Sequence, residues 1–258
     1  MNQAGAFGAQ ELDPAVIGRL RTLNLAAMVL HAAQAIAVVV LATAFALPVT
    51  GTFLTGPPGT VPGETEELFE IRTAWAVAAF FLMSAVAHAF VVAGSRSWYP
   101  AGLARERNDA RWIEYSFSST VMIVVIAQLT GISDVAALIG LAAANVSMIL
   151  FGLLQEKYED PGGSLLPFWL GCIAGAAPWL AIVVYAASPG QEQSPPGFVI
   201  AIIVSLFVFF NCFAVNMWLQ YRRVGPWSDY VFGERAYVVL SLVAKSLLAW
   251  QVFAGTLN

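Results

Sequence analysis

The chain has 258 residues, of which 59% are hydrophobic and only 11% charged, against roughly 25% charged residues in an average soluble protein. A chain this apolar would expose large sticky patches in water, so the composition excludes an ordinary soluble protein. The net charge of −4 comes with no basic stripe able to grip phosphates, which excludes nucleic acid as a partner.

Apolar runs close to the ~20 residues that cross a bilayer recur along the whole chain, and seven spans are predicted within one membrane domain, residues 1–258. The opening stretch MNQAGAFGAQELDPAVIGRLR is polar and helix-start-like. It lacks the charged, apolar and small-residue order of a cleaved signal, so the first span is expected to stay. Helix A is expected at about 23–47, stopped by Pro48. The connection at about 48–70 is rich in Gly, Pro and Thr and ends in Glu64, Glu66, Glu67 and Glu70. Its Thr, Val and Phe content allows a short hairpin, with an ordinary solvated loop as the equal alternative.

Helices B and C are expected at about 71–93 and 109–130, and D, E, F and G at about 135–155, 165–187, 198–220 and 235–256. Each run is bounded by Gly, Pro or charge. The short connection Thr130–Gly131–Ile132–Ser133–Asp134 makes C and D antiparallel neighbours. Trp98, Tyr99, Trp227 and Tyr230 fall near span ends and read as interfacial belt residues. Cys172 and Cys212 sit inside apolar runs, far from any metal-type spacing, and read as small buried hydrophobes.

Orientation follows from Lys and Arg. Arg19 and Arg21, then Arg96, Arg105, Arg107 and Arg111, then Lys157, and finally Arg222, Arg223 and Arg235 all fall on one side. The other side offers only Arg72, at the edge of helix B. The expected fold is therefore an all-α, seven-helix membrane bundle with its N-terminus cytoplasmic and its C-terminus extracellular.

Ionisable groups deep in a bilayer are costly and normally mark a site. Two charged residues qualify within the expected spans, Lys245 and Glu114. Lys245 is about ten residues, or ~15 Å, from either end of helix G, too deep to snorkel out easily. Glu114 lies one to two turns into helix C. A buried salt bridge that fixes helix packing is one reading of the pair. The functional reading is covalent, because a desolvated lysine attacks carbonyls to form a Schiff base, and a protonated imine needs a carboxylate beside it.

Polar neighbours support a site here. Ser241 precedes Lys245 by one turn, Ser118 shares a face with Glu114, and Ser119 is one position round. His31 and Gln34 line one face of helix A, and His88 lies in helix B. Asn145, Asn211 and Asn216 suit helix–helix hydrogen bonding, with Asn211 assigned to the pocket. Met148, Trp179, Phe207, Phe210 and Trp250 are plausible walls for an apolar slot, although ordinary core packing explains any one of them alone.

Helix C reads Arg111-Trp112-Ile113-Glu114-Tyr115-Ser116-Phe117-Ser118-Ser119, and helix G reads Ser241-Leu242-Val243-Ala244-Lys245-Ser246-Leu247-Leu248-Ala249-Trp250. Both segments resemble the signatures of heliorhodopsins, retinal proteins of inverted membrane orientation, and the resemblance covers all seven helices. It implies all-trans retinal on Lys245 as a protonated Schiff base with Glu114 as counterion and Tyr115 in the pocket. It places His31, His88, Ser241 and Ser119 in a polar network on the cytoplasmic side. It further implies light-driven isomerisation toward 13-cis, a Schiff-base proton that leaves and returns, a slow photocycle, a homodimer, and a light sensor acting on an unknown signalling partner. Such a protein is not expected to be an enzyme. Helix C carries Glu114 alone and helix G no carboxylate within its expected span, which fits a protein that does not pump ions. Two rivals stay open: a light-gated or light-driven proton transporter on the same scaffold, and a membrane protein that uses Lys245 without retinal.

Overall fold

The computed structural model describes residues 12–60, 63–187 and 195–256; the first eleven residues and most of the connection between the fifth and sixth spans lie outside them. Helix α1 spans Pro14–Val40. It starts well before residue 23 because Asp13 accepts from the Ala15 amide and Pro14 occupies the first helical position, where its missing N–H costs nothing. It also ends early, and Pro48 is not its stop. Ala46–Phe53 forms strand β1, which pairs antiparallel with β2 (Glu64–Arg72), Pro48 standing opposite Glu70.

The hairpin alternative is thus the observed one, and the bundle carries a two-stranded sheet that an all-α description leaves out. Its β-branched and aromatic residues favour the pleat, and it is tied down at its base. The Thr50 amide donates to Ser133 O at 2.8 Å, the Thr50 and Ser133 hydroxyls are 3.0 Å apart, and Gln128 donates to Pro48 O at 3.3 Å.

Six more long helices follow: α2 (Thr73–Gly94), α4 (Asp109–Leu129), α5 (Val135–Tyr158), α6 (Leu166–Ala187), α7 (Gly197–Tyr221) and α8 (Tyr230–Thr256). With α1 these make seven helices long and apolar enough to cross a membrane among the described residues. The turn between α4 and α5 is tight because Gly131 adopts φ 95°, which side chains disfavour, and Asp134 caps α5 by accepting from Ala136 and Ala137. Asn145 on α5 donates to the Ser119 and Thr120 hydroxyls of α4 at 2.8 and 2.9 Å. Asn216 links α7 to the Gly233 carbonyl of α8 at 3.3 Å. Phe80, Phe81, Ile123, Ile126, Ile182, Ile202, Leu206 and Leu248 form the dry centre of the bundle. Ile36, Phe90 and Ile173 face outward and are more than 60% exposed, as a lipid-facing surface requires.

The segment before α4 contains a short helix, α3 (Trp98–Leu103). Tyr99 is not a belt residue: it is buried against Leu20, Val91, Leu103 and Val231. Burial pushes its hydroxyl up to about 12, with Asn24 and Arg111 acting in the opposite direction. Trp227 and Tyr230 are likewise committed to internal partners. The Trp227 indole donates to Asn216 at 2.7 Å, and the Tyr230 hydroxyl donates to Glu156 at 2.7 Å.

Glu156 belongs to a second buried ionic group, beyond the two charges, Glu114 and Lys245, expected deep in the spans. Helix α5 runs on past residue 155, and α8 starts before residue 235, so Glu156 and Glu234 both fall inside helices. Arg111 donates to Glu156 at 2.5 Å and pairs with Glu234, its guanidinium lying 4.0 Å from the Tyr237 ring centroid. The Asn108 amide side chain donates to Glu234 at 2.8 Å. Removing the one cation would strand two buried carboxylates. Arg111→Gln is therefore expected to destabilise the folded bundle by about 3–5 kcal/mol, read as a lower midpoint of thermal unfolding in detergent.

Candidate functional site

Lys245 sits midway along α8 and is 3% exposed. Its Nζ donates to Ser241 Oγ, one turn earlier, at 2.7 Å, and lies 3.2 Å from Glu114 Oε1. It also stands 5.2 Å from the centroid of the Tyr115 ring. Glu114 is held in turn by Ser84 of α2, whose hydroxyl donates to Oε1 at 2.6 Å. The carboxylate thus receives both an ammonium and a hydroxyl proton. Opposite charges at this separation attract by roughly 5 kcal/mol at an effective dielectric of ~20, against a desolvation cost of several kcal/mol per ion.

The amine opens onto a cavity of about 490 Å³ between α4, α5, α6, α7 and α8, a size typical of small-molecule sites. Tyr115, Ser119, Met148, Trp179, Phe207, Asn211, Ser241 and Lys245 all line it. Trp179 meets the Phe207 and Phe210 rings edge-on at 5.3 and 5.5 Å. The Asn211 amide donates to its own helix, at Phe207 O, at 2.8 Å. Leu180, Val183 and Phe207 belong both to the cavity wall and to the outer surface of the bundle.

Three expected residues stand elsewhere. Trp250 is not in the wall: its indole donates at 3.1 Å to Gln34 Oε1. Gln34 has that indole on its oxygen and the Leu30 carbonyl, at 3.3 Å, on its nitrogen. Ser118 is fully buried with its hydroxyl unpartnered, and it is not among the cavity-lining residues.

The histidines form a unit beside the ion pair, and neither lines the cavity. Their rings stack at 5.5 Å with a 10° interplanar angle. His31 is fully buried with neither ring nitrogen hydrogen-bonded. His88 Nδ1 is 2.7 Å from Asn24 Oδ1. Both rings are within Coulombic reach of Lys245.

The sequence reading missed Ser84 and Asn24, as well as the cavity residues Trp112, Gly152, Phe168, Gly175, Met217 and Tyr237. The glycines carried a legible signal. Gly171 and Gly175 are one turn apart on α6, and a Cβ on Gly175 would run into the Met148 sulfur, so small residues here let α5 and α6 close on the cavity. Cys172 and Cys212 are free thiols, and Cys172 forms part of the wall.

The donor set suits a long apolar aldehyde. One amine projects into a wall that is otherwise largely hydrocarbon and aromatic, and a carboxylate behind it balances a cation at that nitrogen. Among the described residues, no group of three or more His, Cys, Asp or Glu is placed to hold a metal.

Several solved structures share this architecture. The chain is similar to the light-driven proton pump LR (Mac) from Leptosphaeria maculans, at 15% identity and a TM-score of 0.64, covering 96% of this chain and 98% of that one. It is similar to the light-driven proton pump Coccomyxa subellipsoidea rhodopsin CsR, at 17% identity and a TM-score of 0.63, covering 94% and 97%. It is also similar to Exiguobacterium sibiricum rhodopsin, at 14% identity and a TM-score of 0.66, covering 92% and 95%. At these identities the likeness is one of fold. No curated protein matches the chain. Residues 20–257 match the family model described as Heliorhodopsin.

Proposed function

The chain belongs to the heliorhodopsin family, and on that premise we propose that it is a membrane photoreceptor carrying all-trans retinal on Lys245 as a protonated Schiff base. Family and fold together imply a retinal-bearing, light-responsive membrane protein. The observation that carries the attachment site is the Lys245 amine, buried at a largely apolar cavity and 3.2 Å from Glu114. When bound, retinal supplies visible absorption and a light-driven change of double-bond geometry.

The rest is the work of the chain's own residues. Lys245 fixes the ligand covalently through its amine. Glu114 holds a positive charge at that nitrogen, and Ser84 holds Glu114 in place. Met148, Trp179 and Phe207 restrict the shapes the cavity accepts. Leu180, Val183 and Phe207 give an apolar ligand contact with the bilayer side.

The basic residues support a cytoplasmic N-terminus and an extracellular C-terminus. Arg19 and Arg21 on α1, Lys157 at the end of α5 and Arg235 on α8 gather at the same end as the arginines flanking α3. The protein acts as a sensor with a slow photocycle, not as an enzyme, and works as a homodimer with a signalling partner. Among the described residues, Glu114 is the single carboxylate paired with Lys245. The acid found on α8, Glu234, is engaged by Arg111 at the end of the bundle, so the described residues hold no relay of successive carboxylates through the site.

A proton transporter on the same scaffold is the second reading. It is favoured by the stacked histidines and the unpartnered nitrogens of His31.

Adding all-trans retinal to the expressed apoprotein is expected to generate a visible absorption band. Absence of that band would overturn both readings. Illuminating cells in weak buffer separates them: a sustained, protonophore-sensitive pH change favours transport, and none is expected of the sensor.

A further inference from the structure

Asn24 lies on α1, two turns before His31, and is 2% exposed. Its amide nitrogen donates to the Leu20 carbonyl at 2.9 Å. A carbonyl only accepts, so this bond fixes which end of the Asn24 amide is nitrogen. The other end, Oδ1, therefore faces His88 Nδ1 at 2.7 Å, and an amide oxygen has no proton to give. The proton in that contact must belong to His88. A neutral imidazole carries one ring proton, and placing it on Nδ1 leaves Nε2 as a bare lone pair.

We propose that Asn24 is a positioning residue that sets the tautomer of His88, holding Nδ1 protonated so that Nε2 is the ring's free base. That base belongs to the polar group formed with His31, stacked 5.5 Å away, and with Glu114 and Lys245, which lie within Coulombic reach of His88. Nothing in the sequence marks this arrangement, because a lone Asn in a membrane helix reads as helix glue. Its contribution to the light reaction rests on the photoreceptor reading, whereas the tautomer itself does not.

The chain contains two histidines, so a preparation labelled with ring-¹⁵N histidine and purified through a tag free of histidine gives an assignable nitrogen spectrum. A His31→Phe variant separates the two rings. In the dark state His88 is expected to show a protonated Nδ1 and an unprotonated Nε2. In Asn24→Leu the proton should move to Nε2 in a substantial fraction of molecules. In Asn24→Asp it should stay on Nδ1, because one carboxyl oxygen still accepts from the ring. In the retinal-loaded protein, Asn24→Leu should change the rate at which the visible band recovers after a flash by about fivefold, the effect of one ordinary hydrogen bond, and Asn24→Asp should restore it toward the wild-type value.

A wild-type His88 protonated on Nε2 would overturn the proposal without any variant being needed, as would an Asn24→Leu protein whose His88 keeps its Nδ1 proton. Because the nitrogen spectrum is read in darkness, failure to form a pigment would count against the photoreceptor reading and leave the tautomer result standing.

Discussion

Lys245→Ala, supplied with all-trans retinal, is expected to show no visible absorption band at all. Alanine offers no nucleophile, and the neighbouring Ser241 hydroxyl, 2.7 Å from the lysine nitrogen, cannot form an imine. The same change leaves Glu114 buried without its cation, which costs about 3–5 kcal/mol, so a colourless sample has a second explanation in misfolding. Lys245→Arg resolves this. A guanidinium keeps a charge near Glu114 but does not condense with aldehydes, so that variant should fold and still remain colourless. Borohydride reduction followed by mass measurement of the intact chain gives the complementary readout. The wild-type chain should gain the mass of retinal less the water lost on condensation and plus the two hydrogens of reduction, and neither variant should. A band that survives in Lys245→Ala would place the chromophore elsewhere and sink the covalent reading.

The second large effect is expected from Glu114→Gln. Glutamine keeps the shape and the acceptor oxygen for Ser84 but removes the negative charge 3.2 Å from Lys245 Nζ. An attraction of roughly 5 kcal/mol is lost at an effective dielectric of ~20. The charged chromophore should then be poorly held near neutral pH, with most of the visible band lost. Acidification should recover a band shifted to the red, since the counterion stabilises the ground state, where the positive charge is localised beside it. A spectrum unchanged across the titration would assign the counterion role to another group. The Arg111–Glu156–Glu234 cluster is sealed around its own cation, and its acids do not line the cavity.

Much of this architecture is legible in the amino-acid order, for a definite reason. In a bilayer an apolar run of sufficient length must close its own backbone hydrogen bonds, so seven such runs along the chain dictate seven helices. The helix ends are less legible because they depend on pairing. Arg111, Glu156 and Glu234 each read as a surface charge when taken singly, and only their meeting in space draws them into the helices. Pro48 reads as a helix stop, yet it sits in a strand whose base is held by Ser133 and Gln128, eighty or more positions away.

The site divides in the same way. Lys245 and Glu114 stand out because charge within a span is rare, and Ser241 follows from helical spacing. Trp250 is five positions from Lys245, about 140° round the helix at 100° per residue, so spacing alone argues against its sharing that wall. Gln34 shares a face with His31, but its amide is taken by Trp250. Ser84 and Asn24 carry no signal of their own, since a serine or asparagine in a membrane helix commonly bonds the backbone one turn back, as both of these also do.

The Arg111–Glu156–Glu234 cluster also bears on the order of assembly. Arg111 leaves the ribosome 45 positions before Glu156 and 123 before Glu234 (234 minus 111). At ~5–20 residues per second, α4 waits roughly 6–25 s before the last of its partners exists. Until then, Arg111 lacks one of its two carboxylate partners, and Glu114, one to two turns into α4, waits for a lysine that has not been made. The cavity gains its amine and its last wall only with α8, so the chamber that takes the ligand is the last part of the bundle to be completed.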